Sequence, residues 1–222
     1  YNNIGASSTL ALTTSGQIIW ADASSWSVTN PTTGSTSSER WSINTASGTY
    51  SSSATTDRAY YHQYSQTSSY SGTVASGGAP SLACQRYGSA STDVLTTTAT
   101  GIWEDNNCAY TITKPAADFP SSTERYQTNF ANGTISGGAT VNPAFYRQFG
   151  CTCSYSGTVA SGGAPSFSRV SFGTADTATA LTTTPTTLWA DNSGAYAVTK
   201  PAADFPSSSE RYQTNTANGT VS

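Results

Sequence analysis

A stretch of 17 residues occurs twice in almost the same form and limits what this chain can fold into. Residues 113–129 read Thr-Lys-Pro-Ala-Ala-Asp-Phe-Pro-Ser-Ser-Thr-Glu-Arg-Tyr-Gln-Thr-Asn, and residues 199–215 repeat them with serine in place of one threonine. Residues 29–42 carry a looser version. Because one unit has been copied along the chain, the fold must be a repeated one.

A second repeated stretch sets the length of the unit. Residues 70–81 recur unchanged as residues 155–166, and similar tryptophan motifs recur at Trp20, Trp103 and Trp189, which gives a period of about 85 residues. This period is too long for a helical solenoid or a propeller blade, and it fits a β-sandwich of about seven strands. We therefore predict three units, at residues 1–69, 70–154 and 155–222.

The local patterns favour strands throughout. Short runs rich in Thr, Val, Ile, Tyr and Trp are bounded by clusters of Gly, Pro, Asn and Ser, which is typical of strands joined by turns. No window shows a clear apolar period of 3.6 residues, so helices are not predicted. The sequence predicts an all-β protein of tandem Ig-like antiparallel β-sandwiches.

Both terminal units are expected to be incomplete. The first lacks a counterpart of residues 70–86, and the last lacks a counterpart of residues 141–149, its final strand. A sandwich with a missing strand has open edges that pair with another chain. Donation of a strand by the next copy of the same protein is donor-strand complementation, and head-to-tail contacts of this kind do not close, so they build a filament.

The candidate donor and acceptor residues lie at opposite ends of the chain. An extended N-terminal segment would place four apolar residues on one face: Ile4, Ala6, Leu10 and Leu12. The candidate acceptor core in the last unit consists of Trp189, Tyr196, Val198 and Tyr212. Two alternatives stay open, namely a fragment of a longer tandem array and closure of the terminal units within the chain.

Composition excludes several classes of function. Only 9% of the residues are charged, 11% are aromatic, and the net charge is −3. This favours folded material over disorder and argues against nucleic-acid binding. No apolar run is long enough to span a membrane, and four cysteines fit an extracellular, cell-surface protein. The start at Tyr1 without methionine indicates a processed chain or part of a longer one.

The repeated acidic residues do not predict an enzyme. A Trp-x-Asp motif and a Glu-Arg-aromatic motif recur in register, and paired carboxylates could serve a glycosidase. A motif present once in every unit is more typical of shared core positions. Because no nucleophilic triad, phosphate-binding loop or metal-ligand spacing is visible, we predict no catalytic residue, no cofactor and no metal site.

The cysteines and two asparagines are candidates for covalent modification. Cys84, Cys108, Cys151 and Cys153 allow three pairings, and two disulfides are expected, although a bond between Cys151 and Cys153 would be strained on one strand face. Asn132-Gly133-Thr134 and Asn218-Gly219-Thr220 are N-glycosylation sequons at equivalent positions. Asn-Gly also forms hairpin turns, and both roles are compatible. Covalent glycans are therefore expected partners, together with other copies of the chain.

The combined motifs resemble a known kind of surface protein. They are Trp-x-Asp, Asn/Lys-Pro, Ser-Ser/Thr-Glu-Arg-Trp/Tyr and Tyr/Phe-Tyr-His/Arg-Gln-Tyr/Phe, and they extend over the whole chain. They resemble the tandem β-sandwich repeats of secreted surface proteins from thermophilic archaea, including thread and bundling-pilus subunits. The resemblance implies glycosylated subunits that polymerise by strand donation, and it carries over no active-site residues.

Overall fold

The computed structural model describes residues 1–55, 57–75, 78–113, 121–159, 163–199 and 218–222. These residues form only strands, turns and irregular segments, which confirms the all-β class. Most of the strands pair antiparallel in several small sheets that are consistent with β-sandwich domains. No helix in the described part of the chain is long and apolar enough to cross a membrane.

The strands of the described residues are numbered in chain order. The first seven are β1 (Asn2–Asn3), β2 (Ala6–Ser7), β3 (Ser25–Ser27), β4 (Glu39–Ser42), β5 (Ser47–Thr49), β6 (Tyr61–Ser68) and β7 (Ser71–Gly72). The next seven are β8 (Ser81–Arg86), β9 (Ser89–Val94), β10 (Thr100–Asp105), β11 (Ala109–Thr113), β12 (Glu124–Gln127), β13 (Gly133–Thr134) and β14 (Thr140–Val141). The last seven are β15 (Ala144–Cys153), β16 (Ser166–Ser171), β17 (Thr174–Ala175), β18 (Thr179–Ala180), β19 (Thr186–Asp191), β20 (Ala195–Thr199) and β21 (Gly219–Thr220).

Two sheets form the middle of the chain. In the first, β6 lies between β4 and β10, both antiparallel to it, and β14 adds a short parallel pairing. The second has the order β13-β11-β8-β9. Strand β8 alternates between more and less buried residues, which places Leu82 and Cys84 inside, as expected for a strand with one face on a core.

The C-terminal part repeats this plan. Strand β15 lies between β12 and β19, both antiparallel to it. A second sheet has the order β17-β16-β20-β21, with β18 also paired to β16. The N-terminal part contributes β4 and β6 to the first of these sheets and forms two small two-stranded sheets of its own, β1-β2 and β3-β5.

The main apolar core lies under the β13-β11-β8-β9 sheet. Five buried residues form it: Leu82, Leu95, Ile112, Val141 and Phe145. Phe145 stands at the start of β15 and is 1% exposed. The rest of that strand leaves this core and pairs with β12 and β19. One strand therefore contributes a core residue to one unit and backbone hydrogen bonds to the next.

Strands pair across both predicted unit boundaries. Six residue pairs join β6 to β10, and six more join β15 to β19. The predicted unit boundaries, after residues 69 and 154, thus lie between strands that pair with each other. Backbone N–H and C=O groups of the strands on either side of these boundaries are therefore hydrogen-bonded to each other, as buried backbone groups require.

Candidate functional site

A row of three polar side chains crosses the sheet where one unit meets the next. Arg40, Gln63 and Asp105 lie directly opposite one another on β4, β6 and β10. Arg40 Nε donates to Gln63 Oε1 over 2.9 Å, and Gln63 Nε2 donates to Asp105 Oδ1 over 2.8 Å. Because the Gln63 carboxamide is fully buried, its two partners are necessary to offset its desolvation. We name this arrangement the Arg–Gln–Asp junction.

The aspartate of the junction also holds a tight turn. The backbone N–H groups of Tyr87 and Gly88 donate to the two carboxylate oxygens of Asp105 over 3.0 and 2.7 Å. Both turn residues have positive φ angles, +55° and +70°, as in the hairpin turns that match strand twist. Tyr87 is strained in this region, and the charge-assisted hydrogen bonds stabilise the turn.

The arginine of the junction covers a tryptophan ring. The guanidinium carbon of Arg40 lies 4.3 Å from the centroid of Trp103, within the range of a cation–π contact. Burial lowers the pKa of the Arg40 guanidinium. The Gln63 side-chain oxygen and the face of the Trp103 ring interact with the guanidinium in place of the water that burial removes.

A second junction repeats the first with almost the same geometry. Arg125 Nε donates to Gln148 Oε1 over 2.9 Å, Gln148 Nε2 donates to Asp191 Oδ1 over 2.9 Å, and Arg125 lies 4.3 Å from the Trp189 ring centroid. Asp191 accepts from the N–H groups of Phe172 and Gly173 over 3.1 and 2.7 Å. The recurring Trp-x-Asp and Glu-Arg motifs are therefore joined across a predicted unit boundary in both places.

A third copy, at the N-terminus, has only part of this geometry. Asp22 Oδ2 accepts from the Gly5 N–H over 2.7 Å, and Ile4 and Gly5 have positive φ angles of +53° and +73°. Asp22 Oδ1 has no hydrogen-bond partner within the described residues. Trp20 is 85% exposed, whereas its counterparts lie under arginines. The turn and the aspartate are present here without the glutamine and the arginine.

The glutamines of the two complete junctions were not singled out in the sequence. Gln63 and Gln148 are both fully buried and connect two charged side chains. Their signal was available, because each follows a tyrosine and a basic residue in the runs Tyr61-His62-Gln63 and Tyr146-Arg147-Gln148. A repeated polar residue inside a strand-like run indicates a buried hydrogen-bond position.

The glutamates of the Glu-Arg motif contact basic side chains beside the junctions. Glu39 Oε1 is 2.7 Å from His62 Nε2, and His62 stacks on Trp41 with centroids 4.6 Å apart. Glu124 Oε1 is 2.6 Å from Arg147 Nε. Each carboxylate is thus paired with a basic residue of the neighbouring strand, β6 or β15.

Three of the candidate acceptor residues lie in the described C-terminal part. Trp189 is in β19 under Arg125, and Val198 is in β20 opposite Phe167. Tyr196 stacks on Phe167 with centroids 5.6 Å apart, and Tyr196 lies opposite Gly219 in β21. Tyr212 lies outside the described residues. The acceptor role itself stays a prediction.

The candidate donor residues are exposed at the N-terminus. Ile4 lies in the turn between β1 and β2, so the four residues do not form one continuous strand in this structure. Ala6 is in β2, while Leu10 and Leu12 belong to no strand. Ile4, Leu10 and Leu12 are all exposed large hydrophobic residues. Their donor role stays a prediction as well.

The structure contains one disulfide among its described residues, between Cys84 on β8 and Cys108 just before β11. This bond is consistent with an oxidising environment. The expectation of a second disulfide is wrong for this structure, because Cys151 and Cys153 are free. Cys151 and Cys153 are two positions apart on β15, so their side chains lie on the same strand face, as the sequence pattern implied. Burial raises the pKa of both thiols.

Both sequon asparagines precede the glycine of a short strand. The side-chain oxygens of Asn132 and Asn218 accept hydrogen bonds from the backbone N–H groups of Ile112 and Val198 over 3.1 and 3.2 Å. Both residues are exposed. The amide nitrogen, which carries the glycan in N-glycosylation, is not used in these contacts.

Glu104 is a fully buried carboxyl group next to the first junction. It accepts from Ser91 Oγ over 2.9 Å and from the Arg86 guanidinium over 3.1 Å, and Arg86 also pairs with Asp93 over 2.7 Å. Burial raises the pKa of Glu104 to about 7, with Asp93 adding to the rise and Ser91 and Arg86 opposing it. The equivalent residue in the next unit is Ala190, so this acidic group is not a shared feature of the units.

We expect Glu104 to make the protein less stable as the pH rises from about 4.5 to about 7. The folded-state pKa is raised, so the folded chain holds a proton that the unfolded chain releases in this interval. The Glu104→Gln variant, which keeps the shape and the acceptor oxygen, should lack this decline and gain on the order of 2 kcal/mol relative to the parent between pH 5 and 8. Urea denaturation at several pH values measures the difference. Parallel pH curves for the two proteins would contradict the prediction.

The described residues contain no group of three or more His, Cys, Asp or Glu side chains that could hold a metal ion. No protein-family model matches the chain, and neither the curated proteins nor the solved structures contain a match to it. The fold defines the class as an all-β protein of several small, mostly antiparallel sheets. The resemblance to archaeal surface proteins rests on the quoted sequence motifs alone.

Proposed function

We propose that the protein is a structural subunit of an extracellular, pilus-like or thread-like filament, assembled head to tail by donor-strand complementation. The observation that supports this proposal is the pairing of strands across the predicted unit boundaries. Strand β15 places Phe145 in the core with Leu82 and Ile112 and then pairs with β19 of the following unit. The proposed contact between subunits repeats this contact within the chain.

The core of the last predicted unit supports the proposal, because within the described residues it lacks a counterpart of Phe145. Phe167, Leu181 and Val198 occupy the places of Leu82, Leu95 and Ile112, but no described strand brings a counterpart of Phe145 to them. Val198 is only partly buried, whereas Ile112 is 9% exposed. A donated apolar strand would bury this remaining surface, at about 25 cal/mol for each Å² removed from water.

The N-terminal segment supplies a donor of suitable character. Leu10 and Leu12 are exposed, and the segment that carries them has no strand partner among the described residues. Exposed apolar residues clustered in one region mark interaction surfaces more often than scattered ones do. The disulfide, the exposed sequons and the low charge fit a subunit that works outside the cell.

Removal of residues 1–12 tests the proposal. We expect the parent protein to form filaments, and the truncated chain to stay monomeric, in negative-stain electron microscopy and sedimentation velocity. A double Leu10→Asp, Leu12→Asp variant should behave in the same way, since charge on the donor opposes its burial. Val94→Asp is the matched control, because Val94 is an equally apolar exposed residue on β9. A parent protein that remains monomeric at all concentrations would overturn the proposal.

The alternative is an adhesin stalk or a carbohydrate-binding array within a larger surface protein. A groove of about 400 Å³ beside Trp189 favours it, with Arg125, Arg169 and Asp176 in its wall. Aromatic rings with nearby polar groups are typical of ligand sites. Arg125 already covers one face of this ring. Saturable binding of oligosaccharides that is lost in Trp189→Ala, by a parent protein that forms no filaments, would favour this second function.

A further inference from the structure

We propose that Trp20 and Asp22 form an empty Arg–Gln–Asp junction, and that it binds an antiparallel strand pair with arginine on one strand and glutamine on the other. We name this partner the Arg–Gln strand pair. The inference deepens the proposed assembly and rests on it, because it names the chemistry of the surface that meets the N-terminal unit. It gives a receiving role to a unit that the proposed assembly otherwise uses only as a donor.

The empty site contains equivalents of two parts of the first junction, namely the aspartate on β10 and the turn between β8 and β9. Asp22 accepts from the Gly5 N–H over 2.7 Å, as Asp105 and Asp191 accept from Gly88 and Gly173 over the same distance. The turn at Ile4 and Gly5 has the same positive φ angles as the two other turns. A β-branched residue such as Ile4 is costly in this conformation. The chain therefore keeps the strained turn and its aspartate here although the junction is not complete.

The missing parts are the equivalents of the arginine on β4 and the glutamine on β6. Asp22 Oδ1 corresponds to the oxygens that receive Gln63 and Gln148, and it has no partner in the described chain. Trp20 corresponds to the rings that lie 4.3 Å below Arg40 and Arg125. Because both vacant positions match one known partner, the occupant is identified by chemistry and register together.

The backbone of the site is also unpaired. Residues 100–105 and 186–191 are strands β10 and β19, each held on β6 or β15. The equivalent residues 17–22 are not in a strand, and within the described chain their backbone makes one hydrogen bond, from Asp22 N to Asn2 O. Ile18 is 92% exposed beside Trp20. An apolar segment with free N–H and C=O groups is prepared for strand addition.

The two described Arg–Gln strand pairs of the chain are already engaged with β10 and β19. The occupant must therefore be an additional Arg–Gln strand pair of the same kind.

A synthetic peptide of residues 37–68, which spans β4 and β6, is the probe. Hydroxyl-radical footprinting with mass spectrometry follows Trp20 in the full chain, with Trp103 and Trp189 as internal references that are already covered. We expect saturating peptide to slow Trp20 oxidation at least about fivefold, as for a ring covered by an arginine and a strand. The matched control peptide carries Arg40→Ala and Gln63→Ala and should give no protection at the same concentration.

Calorimetry with an Asp22→Asn variant tests the hydrogen bond. We expect this variant to bind the peptide at least about tenfold more weakly, since one of the two acceptor oxygens becomes an NH2 donor and the remaining hydrogen bond loses its charge. A second protein carries residues 37–68 joined by a flexible linker ahead of Tyr1, so that a weak contact becomes intramolecular. Absence of Trp20 protection in both formats, equal protection by the control peptide, or protection by a neutral oligosaccharide instead would each overturn the inference. Peptide binding without filaments would sink the proposed function alone.

Discussion

Replacement of Asp191 by alanine should lower the free energy of unfolding by about 4 kcal/mol, because three donors, among them the fully buried Gln148 amide, lose their buried acceptor together. The donors are the Gln148 side-chain amide and the backbone N–H groups of Phe172 and Gly173. Asp191 is 7% exposed, so water does not replace the carboxylate. Urea denaturation followed by tryptophan fluorescence measures the loss.

The matched control is Asp22→Ala in the same motif. Asp22 accepts one hydrogen bond within the described residues, from Gly5, and is partly exposed. Its removal should cost no more than about 1 kcal/mol, since water can solvate the single freed donor. Equal losses in the two variants would show that the aspartate does not act through the junction.

Replacement of Gly72 by alanine should also cost about 4 kcal/mol. Gly72 has a φ angle of +84°, and a Cβ atom there would overlap the carbonyl oxygen of Phe145. Relief of that overlap would move the start of β15, where Phe145 enters the core. Backbone strain and displacement of a packed strand add to each other. Thermal or urea denaturation measures the change.

Gly157 provides the matched control one period later. It has a φ angle of +94°, but a Cβ atom there would meet nothing within 4 Å. Gly157→Ala should therefore cost only the left-handed backbone strain, about 1 kcal/mol. A large loss at Gly157 would mean that the positive φ angle, and not the approach of β15, dominates at Gly72.

The contrast between the two glycines also bears on assembly. Gly72 has β15 against it, and Gly157 has no such strand in the described structure. If a donated strand occupies the place of β15 in the filament, Gly157→Ala should disturb assembly more than monomer stability. Sedimentation velocity of that variant separates the two effects.

Much of the fold was predictable from local patterns. The period of about 85 residues, the β-rich runs and the dense turn signals led to an all-β protein, and the structure confirms that class. These features follow from alternation along a strand and from turn chemistry, which involve residues close in sequence. The recurring Trp-x-Asp and Glu-Arg motifs were also visible as repeated positions.

The pairing of those motifs was not predictable in the same way. The sequence placed each motif within a unit, whereas the structure pairs Arg40 and Gln63 of one unit with Asp105 of the next. A periodic sequence gives the same local signal whether a strand pairs within its own unit or with its neighbour. The disulfide choice was open for the same reason, until Cys84 and Cys108 were brought together by folding.

The sequence by itself determined that one β-rich unit is repeated and which residues recur in it, because periodicity and turn residues act locally along the chain. Only the tertiary structure decided that strands pair across the predicted unit boundaries and that Trp20 and Asp22 remain without the partners of their counterparts in the described chain. The physical reason is that hydrogen bonds between strands join residues far apart in sequence, and their choice depends on which edges meet in space.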